Sequence, residues 1–171
     1  MPNCDAGLVS VLMSVYNGAP TLEKAAASVL AQTYRDLELI LCDDASTDDT
    51  WSIMQRIAAQ DARVTIFQNK TNLGLGASLN ECLARAQGVY IARQDADDVS
   101  DSDRIERTMD FLLSSGAPYA ACGVRVFDDT GVWSTRQFPQ KITKHIIAQK
   151  NPFFHPTMLF RRAVLESVNG Y

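Results

Sequence analysis

Apolar residues in this chain form short, nearly unbroken runs that are separated by stretches of helical spacing. The runs are rich in Val, Ile and Leu, which is typical of strands buried on both faces of a sheet. They predict strands at 8–15, 37–43, 64–67 and 89–92. Apolar positions three and four residues apart predict helices over about 21–32, 48–59 and 75–86. Four successive strand–helix units indicate an α/β fold with a mainly parallel sheet flanked by helices.

Capping residues predict where helices begin, and a turn motif predicts a change of pattern in the last third of the chain. Thr21 is the expected cap of the first helix, and Ser102 and Asp103 introduce a helix at about 102–115. An Asp-Asp-Thr-Gly turn at 128–131 then predicts a hairpin rather than another strand–helix unit. The elements expected in this part are hairpin strands at 119–127 and 132–138, a short helix from Lys141, a loop at 151–156, a strand at 157–160 and a last helical turn.

Length and charge exclude several classes of protein. A chain of 171 residues suits one domain, 1–171. The net charge is −4 and no long Lys/Arg block occurs, which argues against a nucleic-acid partner. Without a basic leader or an apolar run of about 18 residues, we expect no signal peptide, no membrane span and a cytoplasmic location. The scattered cysteines predict neither a disulfide nor a zinc site; they are Cys4, Cys42, Cys82 and Cys122.

Polar residues follow three of the predicted strands at the point where each strand ends. Tyr16 and Asn17 follow the first strand, Asp43 and Asp44 the second, and the acidic segment 95–98 the fourth. Ligands of open α/β sheets bind outside the carboxyl ends of the strands. We therefore expect these three segments to meet in one binding site.

The acidic segment reads Asp95-Ala96-Asp97-Asp98. Three carboxylates so close together repel one another unless a positive charge joins them. Mg²⁺ and Mn²⁺ prefer oxygen ligands and leave part of their shell to substrate phosphates, so either cation suits this segment. The alternative is a solvated acidic loop in which Asp98 or Asp101 caps the following helix. The position at a strand end favours the cation.

The second strand end carries residues that suit a nucleobase. Asp44 could accept the imide N–H of uracil or thymine, and Tyr16 could stack on the same base. The alternatives remain open at this point. The polar residues at 46–48 could simply cap the next helix, and Tyr16 could be a half-buried aromatic residue.

Three further features carry weaker signals. The glycines at 74 and 76 do not form a dinucleotide motif, because Leu79 occupies the third glycine position. His155 is a lone histidine between Phe154 and Pro156, and such a residue is more often structural than catalytic. Arg161 and Arg162 could neutralise a diphosphate, although we expect them to face solvent.

Three segments together resemble the family 2 glycosyltransferases, which have the GT-A fold. The resemblance covers roughly residues 8–115 and rests on VSVLMSVYNGAPTLEKAAASVLAQTYRDLELILCDDASTDDT, TNLGLGASLN and YIARQDADDVSDSDRIERTMDFL. The segment NPFFHPTMLFRRAVLESVNGY further resembles a loop of bacterial members that build surface polysaccharides.

The resemblance implies a role for each matching residue. Ser14 and Tyr16 would border the base and Asp44 would bond to it. Asp95 would lie near the ribose or the diphosphate, and Asp97 would ligate the metal. Asp98 would be a supporting residue, and Arg104 would form a structural salt link. Asn17, Asp43 and His155 are further candidates for a supporting role, independently of the resemblance. Many members carry Arg at the position of Leu79, so a phosphate contact is not expected there.

The implied activity is metal-dependent transfer of a sugar, with inversion, from a nucleotide-diphosphate donor such as a UDP-sugar to a polysaccharide or glycolipid acceptor. The family's base-bearing segment is missing, so we expect the base beyond Tyr171 and an inactive fragment. One alternative is a nucleotide-sugar-binding or regulatory module without catalysis. Another is a phosphatase of the haloacid dehalogenase type, because Asp95 to Val99 fits its signature, although that nucleophile normally ends the first strand.

Overall fold

The computed structural model describes residues 7–137 and 153–171, and this part of the chain contains eight strands and five helices. The strands are β1 (Val9–Val15), β2 (Leu37–Asp43), β3 (Val64–Gln68), β4 (Tyr90–Arg93), β5 (Tyr119–Ala121), β6 (Val124–Asp128), β7 (Gly131–Arg136) and β8 (Met158–Arg161). The helices are α1 (Leu22–Leu30), α2 (Thr50–Gln60), α3 (Leu75–Arg85), α4 (Arg104–Ser115) and α5 (Arg162–Ser167), and a 3₁₀ turn covers His155–Thr157.

The central sheet has the strand order β3-β2-β1-β4-β8-β5. Its first four strands are parallel, whereas β8 runs antiparallel to both β4 and β5. Parallel neighbours need a crossover between them, and the helices α1 to α3 provide it. The predicted α/β fold, mainly parallel and flanked by helices, is confirmed.

The two faces of the sheet carry separate apolar layers. Alternate side chains of β1 point to opposite faces, so Val11 and Met13 pack with α1, α2 and α4, while Leu12 packs with α3 and α5. Both layers are almost free of solvent, and Cys42 and Cys82 are buried thiols in the second. Burial on both faces explains why the first strands read as continuous apolar runs. Cys4 lies outside the described residues.

Helix α4 is capped by a distant residue rather than by its own flanks. The Gln32 side chain, at the end of α1, accepts a hydrogen bond from Ile105 N–H at 2.9 Å and donates to the Asp101 carbonyl at 2.8 Å. The predicted start of α4 at Ser102 and Asp103 is confirmed, because the helix begins directly after Asp103. Thr21 directly precedes α1 but makes no side-chain cap bond in the described structure, so the cap predicted for Thr21 was wrong. The cap from Gln32 fixes the loop that joins β4 to α4.

The predicted hairpin is shorter than expected. Residues 119–121 are not part of the hairpin and instead join the central sheet as β5. Ala120 is buried beside β8, and the strand is interrupted at Gly123, before β6 begins. A Cβ at Gly123 would lie 2.8 Å from the Arg136 carbonyl oxygen, so this close approach requires glycine. The hairpin proper is β6 paired with β7. Phe138, the predicted helix from Lys141 and the first two residues of the 151–156 loop lie outside the described residues.

Of the helices in 7–137 and 153–171, none has the length and hydropathy to cross a membrane.

Candidate functional site

The three polar strand ends lie next to one another at the carboxyl edge of the parallel strands. Val15 of β1 is paired with Asp43 of β2, and Leu12 of β1 with Arg93 of β4. Adjacent strands lie about 4.8 Å apart, so β2 and β4, which flank β1, are separated by about 10 Å across the sheet. A Cβ at Gly18 would lie 3.7 Å from the Ala96 Cβ, which shows that the loops after β1 and β4 are in close contact.

The loop after β1 is bonded to the loop after β2. The Asn17 side chain accepts a hydrogen bond from Thr47 N–H at 2.8 Å, and Asn17 N–H donates to the Ser46 hydroxyl at 2.9 Å. Asn17 adopts a left-handed conformation with φ of 52°, which asparagine tolerates better than most residues. Tyr16 keeps 53% of its surface exposed, whereas Ser14 is half-buried in β1. The tyrosine ring is therefore accessible at this edge.

Asp44 is buried and its carboxylate holds the loop before α3. It accepts hydrogen bonds from Leu73 N–H at 2.8 Å, Gly74 N–H at 2.9 Å and the Asn69 side-chain amide at 2.8 Å. Burial alone would raise the pKa of Asp44, but these bonds outweigh it and the net pKa is lowered. Only 3% of the residue is exposed. A contact between Asp44 and a base stays a prediction, and it would have to use a remaining lone pair.

Asp43 has a structural arrangement of its own. One carboxylate oxygen accepts a bond from Ser46 N–H at 2.9 Å, and the other accepts one from the Gln68 side chain at 2.7 Å. The residue is fully buried. Asp43 therefore shapes the turn after β2 and ties it to β3. Asp48 serves the next turn, where its carboxylate accepts from Thr50 N–H at 3.0 Å at the start of α2.

The acidic segment after β4 brings its three carboxylates together. One oxygen from each of Asp95, Asp97 and Asp98 lies within 4.8 Å of the others. Asp97 and Asp98 are exposed and Asp95 is half-buried. Loss of hydration raises the pKa of Asp98, and the neighbouring charges of Asp95 and Asp97 raise it further. The carboxylates repel one another in the absence of a cation.

A buried glutamine sets the shape of this loop. The Gln94 side-chain amide donates to the Asp95 carbonyl at 3.2 Å and to the Asp98 carbonyl at 3.0 Å, and its oxygen accepts from the Ser100 hydroxyl at 2.6 Å. Ser100 N–H in turn donates to the Ser28 hydroxyl at 3.0 Å. The loop is thus fastened to α1. Asp98 and Asp101 do not cap α4, so the alternative in which one of them does so was wrong.

Two buried arginines lie behind the acidic segment. Arg93 is 2% exposed and forms an ion pair with Asp95, and its Nε and Nη1 atoms have no hydrogen-bond partner among residues 7–137 and 153–171. Arg104 donates to the Arg93 carbonyl at 3.4 Å and the Pro156 carbonyl at 3.3 Å. It makes no ion pair within the described part of the chain, so the expected salt link of Arg104 is corrected to carbonyl bonding.

His155 and Tyr171 cover this buried charge from the other side. Their ring centroids are 5.2 Å apart. Burial lowers the pKa of His155, the charge of Arg93 lowers it further, and Asp95 acts in the opposite direction. The Asn80 side chain holds the Tyr171 backbone, accepting from its N–H at 2.8 Å. His155 is therefore near the acidic segment, although neither Asp95 nor Arg93 is its hydrogen-bond partner in the described structure.

Arg161 and Arg162 do not simply face solvent, because Arg162 donates to the Ala86 carbonyl at 2.6 Å and Arg161 to the Ala117 carbonyl at 3.2 Å. Both bond to backbone carbonyls, because their positions at the end of β8 and the start of α5 bring them close to the segments before β5 and after α3. Leu79 is 1% exposed in the apolar layer of α3, so it offers nothing to a phosphate.

A divalent cation fits the acidic segment. All donors are carboxylate oxygens, which Mg²⁺ and Mn²⁺ prefer, and two of the three residues are open to solvent. The repulsion of Asp98 by Asp95 and Asp97, which adds to the effect of lost hydration on its pKa, would be relieved by such a cation. Sequence reasoning missed Arg93, Gln94 and Gln32. A charged or amide residue at the end of an apolar strand was the available signal for the first two.

Known proteins share both the sequence and the fold of this chain. The family model described as glycosyl transferase family 2 matches residues 10–168. EpsE of Bacillus subtilis, to which glycosyltransferase activity is attributed by name, is 44% identical over 165 residues, covering 95% of this chain and 59% of EpsE. The chain is 34% identical over 131 residues to Escherichia coli WfaP, a UDP-Glc:α-D-GlcNAc-diphosphoundecaprenol β-1,3-glucosyltransferase, covering 75% of this chain and 51% of WfaP.

A solved structure supports the same fold. The Pyrobaculum calidifontis mannosyltransferase PcManGT, in complex with GDP-Man and Mn²⁺, superposes with a TM-score of 0.75. It is 22% identical, and the match covers 96% of this chain and 47% of that one. The GT-A fold expected from the sequence is confirmed. The chain spans about half to three fifths of the length of these relatives.

Proposed function

Because this chain belongs to glycosyl transferase family 2, we propose that it forms the donor-binding part of a glycosyltransferase that uses a nucleotide-diphosphate sugar and a divalent cation. The observation that carries the proposal is the group of three carboxylates at the end of β4, all within 4.8 Å of one another. Such a group is unfavourable by itself and becomes favourable when a cation and a diphosphate join it.

Each strand end has a proposed role in holding the donor. Tyr16, exposed after β1, stacks on the base beside Ser14. Asp44 bonds to the base while it holds the 69–74 loop, which pre-forms that side of the site. Asp95 faces the ribose or the diphosphate. Asn17, Asp43, Arg104 and His155 support these residues through the contacts described above.

Asp97 would hold Mn²⁺ or Mg²⁺, with Asp98 in support. The cation, when bound, supplies positive charge that stabilises the departing nucleoside diphosphate. Asp97 is suited to this role because it is exposed and no ion pair occupies it in the described part of the chain. Gln94 keeps the loop in the shape that presents the carboxylate.

A UDP-sugar is the donor that we propose. Asp44 suits the imide of uracil, and the relative WfaP is named for a UDP-Glc donor. PcManGT was solved with GDP-Man, so the family fold accepts other bases. The acceptor that we propose for the complete protein is a polysaccharide or a lipid-linked saccharide, as in the name of WfaP.

The reaction of the complete protein also belongs to the proposal, because the chain covers only 59% of EpsE and 51% of WfaP. We propose inversion by direct displacement, with a carboxylate base beyond Tyr171 that deprotonates the acceptor hydroxyl. A cytoplasmic location remains part of the same prediction. The phosphatase alternative is not supported, because Asp95 follows the fourth strand along the chain and the family match points elsewhere.

Calorimetry with UDP tests the proposal. The wild-type chain should bind UDP in the presence of Mn²⁺, and excess chelator should abolish most of that binding. Asp97→Asn should weaken binding at least ~10-fold, since losing even an outer partner of a metal site commonly costs 10–100-fold. Asp129→Asn, which removes one exposed charge from the hairpin turn, is the matched control and should bind as wild type. Equal affinity with and without chelator would overturn the role of Asp97.

A transfer assay separates the enzyme from the binding module. The complete protein should release UDP from a UDP-sugar in the presence of an added acceptor, whereas residues 1–171 alone should bind UDP without transfer. Binding without transfer by the complete protein would support the regulatory module instead.

A further inference from the structure

Arg93 is an unusual residue to find beneath a site of this kind. Its side chain is 2% exposed, although arginine is almost never fully buried without a complete set of partners. One terminal nitrogen, Nη2, is paired with Oδ1 of Asp95, while Nε and Nη1 have no hydrogen-bond partner in the part of the chain that the structure describes. A buried guanidinium with two unpaired nitrogens is costly for stability. A role beyond folding would explain why it is there.

The surroundings of Arg93 direct its charge toward the acidic segment. Its positive charge acts on Asp98, on His155 and on Tyr171, whose buried hydroxyl also has no partner among the described residues. Asp95 is its ion-pair partner within the described residues. The guanidinium therefore opposes part of the negative charge of the three carboxylates from below, on the side away from solvent.

The ion pair makes the three carboxylates unequal. Asp95 has one oxygen bonded to Arg93 and is half-buried, whereas Asp97 and Asp98 are exposed. A divalent cation placed against Asp95 would also be placed against a guanidinium, and the two positive charges would repel each other. Within the described residues Arg93 forms an ion pair with Asp95 and with neither Asp97 nor Asp98, so a cation held by those two would not share an oxygen with the guanidinium.

We propose that Arg93 is a positioning residue that keeps Asp95 out of the cation's ligand shell and reserves its second carboxylate oxygen for the nucleotide. This inference rests on the proposed function. In this arrangement Asp97 and Asp98 receive the cation, while Asp95 accepts a hydrogen bond from a hydroxyl group of the donor. Arg93 itself touches neither ligand.

Arg93→Met tests this role, because methionine is similar in length and carries no charge. Mn²⁺ binding without nucleotide is measured from the electron paramagnetic resonance signal of free Mn²⁺, and UDP binding at saturating Mn²⁺ by calorimetry, both at one fixed pH. Arg93→Met should bind Mn²⁺ about fivefold more tightly, because a nearby like charge is gone and Asp95 is released. The same variant should bind UDP about tenfold more weakly, because Asp95 is no longer held for the nucleotide.

Further variants assign the effect to Asp95. In the Arg93→Met background, Asp95→Asn should remove the gain in Mn²⁺ affinity. In the wild-type background, Asp95→Asn should leave the Mn²⁺ affinity almost unchanged and should weaken the binding of UDP. Arg93→Lys keeps the charge, so it should retain wild-type Mn²⁺ affinity with weaker UDP binding. These two single variants decide the matter if Arg93→Met fails to fold, as judged by circular dichroism.

Opposite changes in the two affinities support the inference, because a merely structural arginine would lower both together. If Arg93→Met lowers both affinities by the same factor, or if Asp95→Asn alone abolishes Mn²⁺ binding, the inference is wrong while the proposed function stands. If the wild-type chain binds neither Mn²⁺ nor UDP, the proposed function fails first and this inference fails with it.

Discussion

The acidic residues at the ends of β2 and β4 lie at the same edge of the sheet but have opposite environments. Asp44 is buried, and three donors from the 69–74 loop bond to its carboxylate. Asp97 and Asp98 are exposed, and the described structure gives their carboxylates no protein donor. The pKa of Asp44 is lowered by its hydrogen bonds, whereas loss of hydration and neighbouring carboxylates raise the pKa of Asp98.

The difference shows at which strand end the folded protein itself provides hydrogen-bond donors to the carboxylate. At β2 the protein supplies three donors to Asp44, so the carboxylate stabilises the native state and pre-forms the loop. At β4 the protein supplies repulsion and leaves the partner to come from outside. Natural proteins violate local rules of this kind mainly at functional sites. The comparison therefore supports the proposed cation site at β4 and a fixed wall of the site at β2.

The largest effect is expected from Asp44→Asn. The amide would present its NH₂ group to backbone N–H donors, so the 69–74 loop should lose its anchor. We expect a loss of about 2–4 kcal/mol in the free energy of unfolding, typical of a broken buried charged network. Urea unfolding with the chain free of divalent cations measures it. Asp48→Asn is the control, because Asp48 also accepts backbone bonds but is exposed, and it should cost much less.

The pH dependence of the same variant checks the cause. The pKa of Asp44 is lower in the folded state than in the unfolded chain, so its stabilisation is present above the unfolded value and lost as the pH falls through the folded one. Wild type should therefore lose stability at acid pH more steeply than Asp44→Asn. Parallel acid limbs for the two proteins would show that Asp44 stabilises by packing rather than by charge.

A smaller effect is expected from Gln94→Leu, which acts on the β4 end alone. The variant loses the bonds to the Asp95 and Asp98 carbonyls, so the loop should become less ordered. We expect a loss of about 1 kcal/mol in stability, since the two freed carbonyls can bond to water. Mn²⁺ affinity should fall about tenfold, as outer-shell losses commonly do.

Gln68→Leu is the matched control for that experiment. It removes the bond from Gln68 to Asp43 at the other acidic end. Its Mn²⁺ affinity should equal that of wild type. If both glutamine variants lower the Mn²⁺ affinity equally, the two strand ends do not act separately and the contrast between them is wrong.

Sequence patterns predicted the parallel half of the fold almost completely. Strand β2 was predicted at its observed bounds, because a strand buried on both faces needs an unbroken apolar run. The same rule placed the acidic residues at one edge. The antiparallel half was predicted less well. Residues 119–121 read like the start of a hairpin strand, and only the tertiary contact with β8 assigns them to the central sheet.

The carboxylates of the site were predicted, whereas the buried residues that hold the β4 loop were missed. The three carboxylates of 95–98 are visible as a local excess of charge. Arg93 and Gln94 are not, because their importance depends on burial, and a strand pattern shows which face a residue takes but not what covers it. Gln32 lies about seventy positions from the helix it caps, so no local capping signal could reveal it.

The smallest effect is expected from Asp98→Asn, and its sign is the sharpest test of the comparison. The pKa of Asp98 is higher in the folded state, so the native chain binds this proton more tightly than the unfolded chain does. Stability should therefore decline as the pH rises through the window between the ordinary pKa and the raised one, and Asp98→Asn should remove that decline.

At neutral pH without divalent cations, the variant should be more stable than wild type by a few tenths of a kcal/mol, roughly the cost of a partly exposed like-charge pair. Saturating Mn²⁺ should reverse the order, because the wild-type chain gains more from binding the cation. The midpoint of urea unfolding with and without Mn²⁺ measures both states, with Asp129→Asn again as the control for a lost exposed charge. If Asp98→Asn is less stable than wild type without the cation, then Asp98 stabilises the fold as Asp44 does, and the contrast between the two strand ends is wrong.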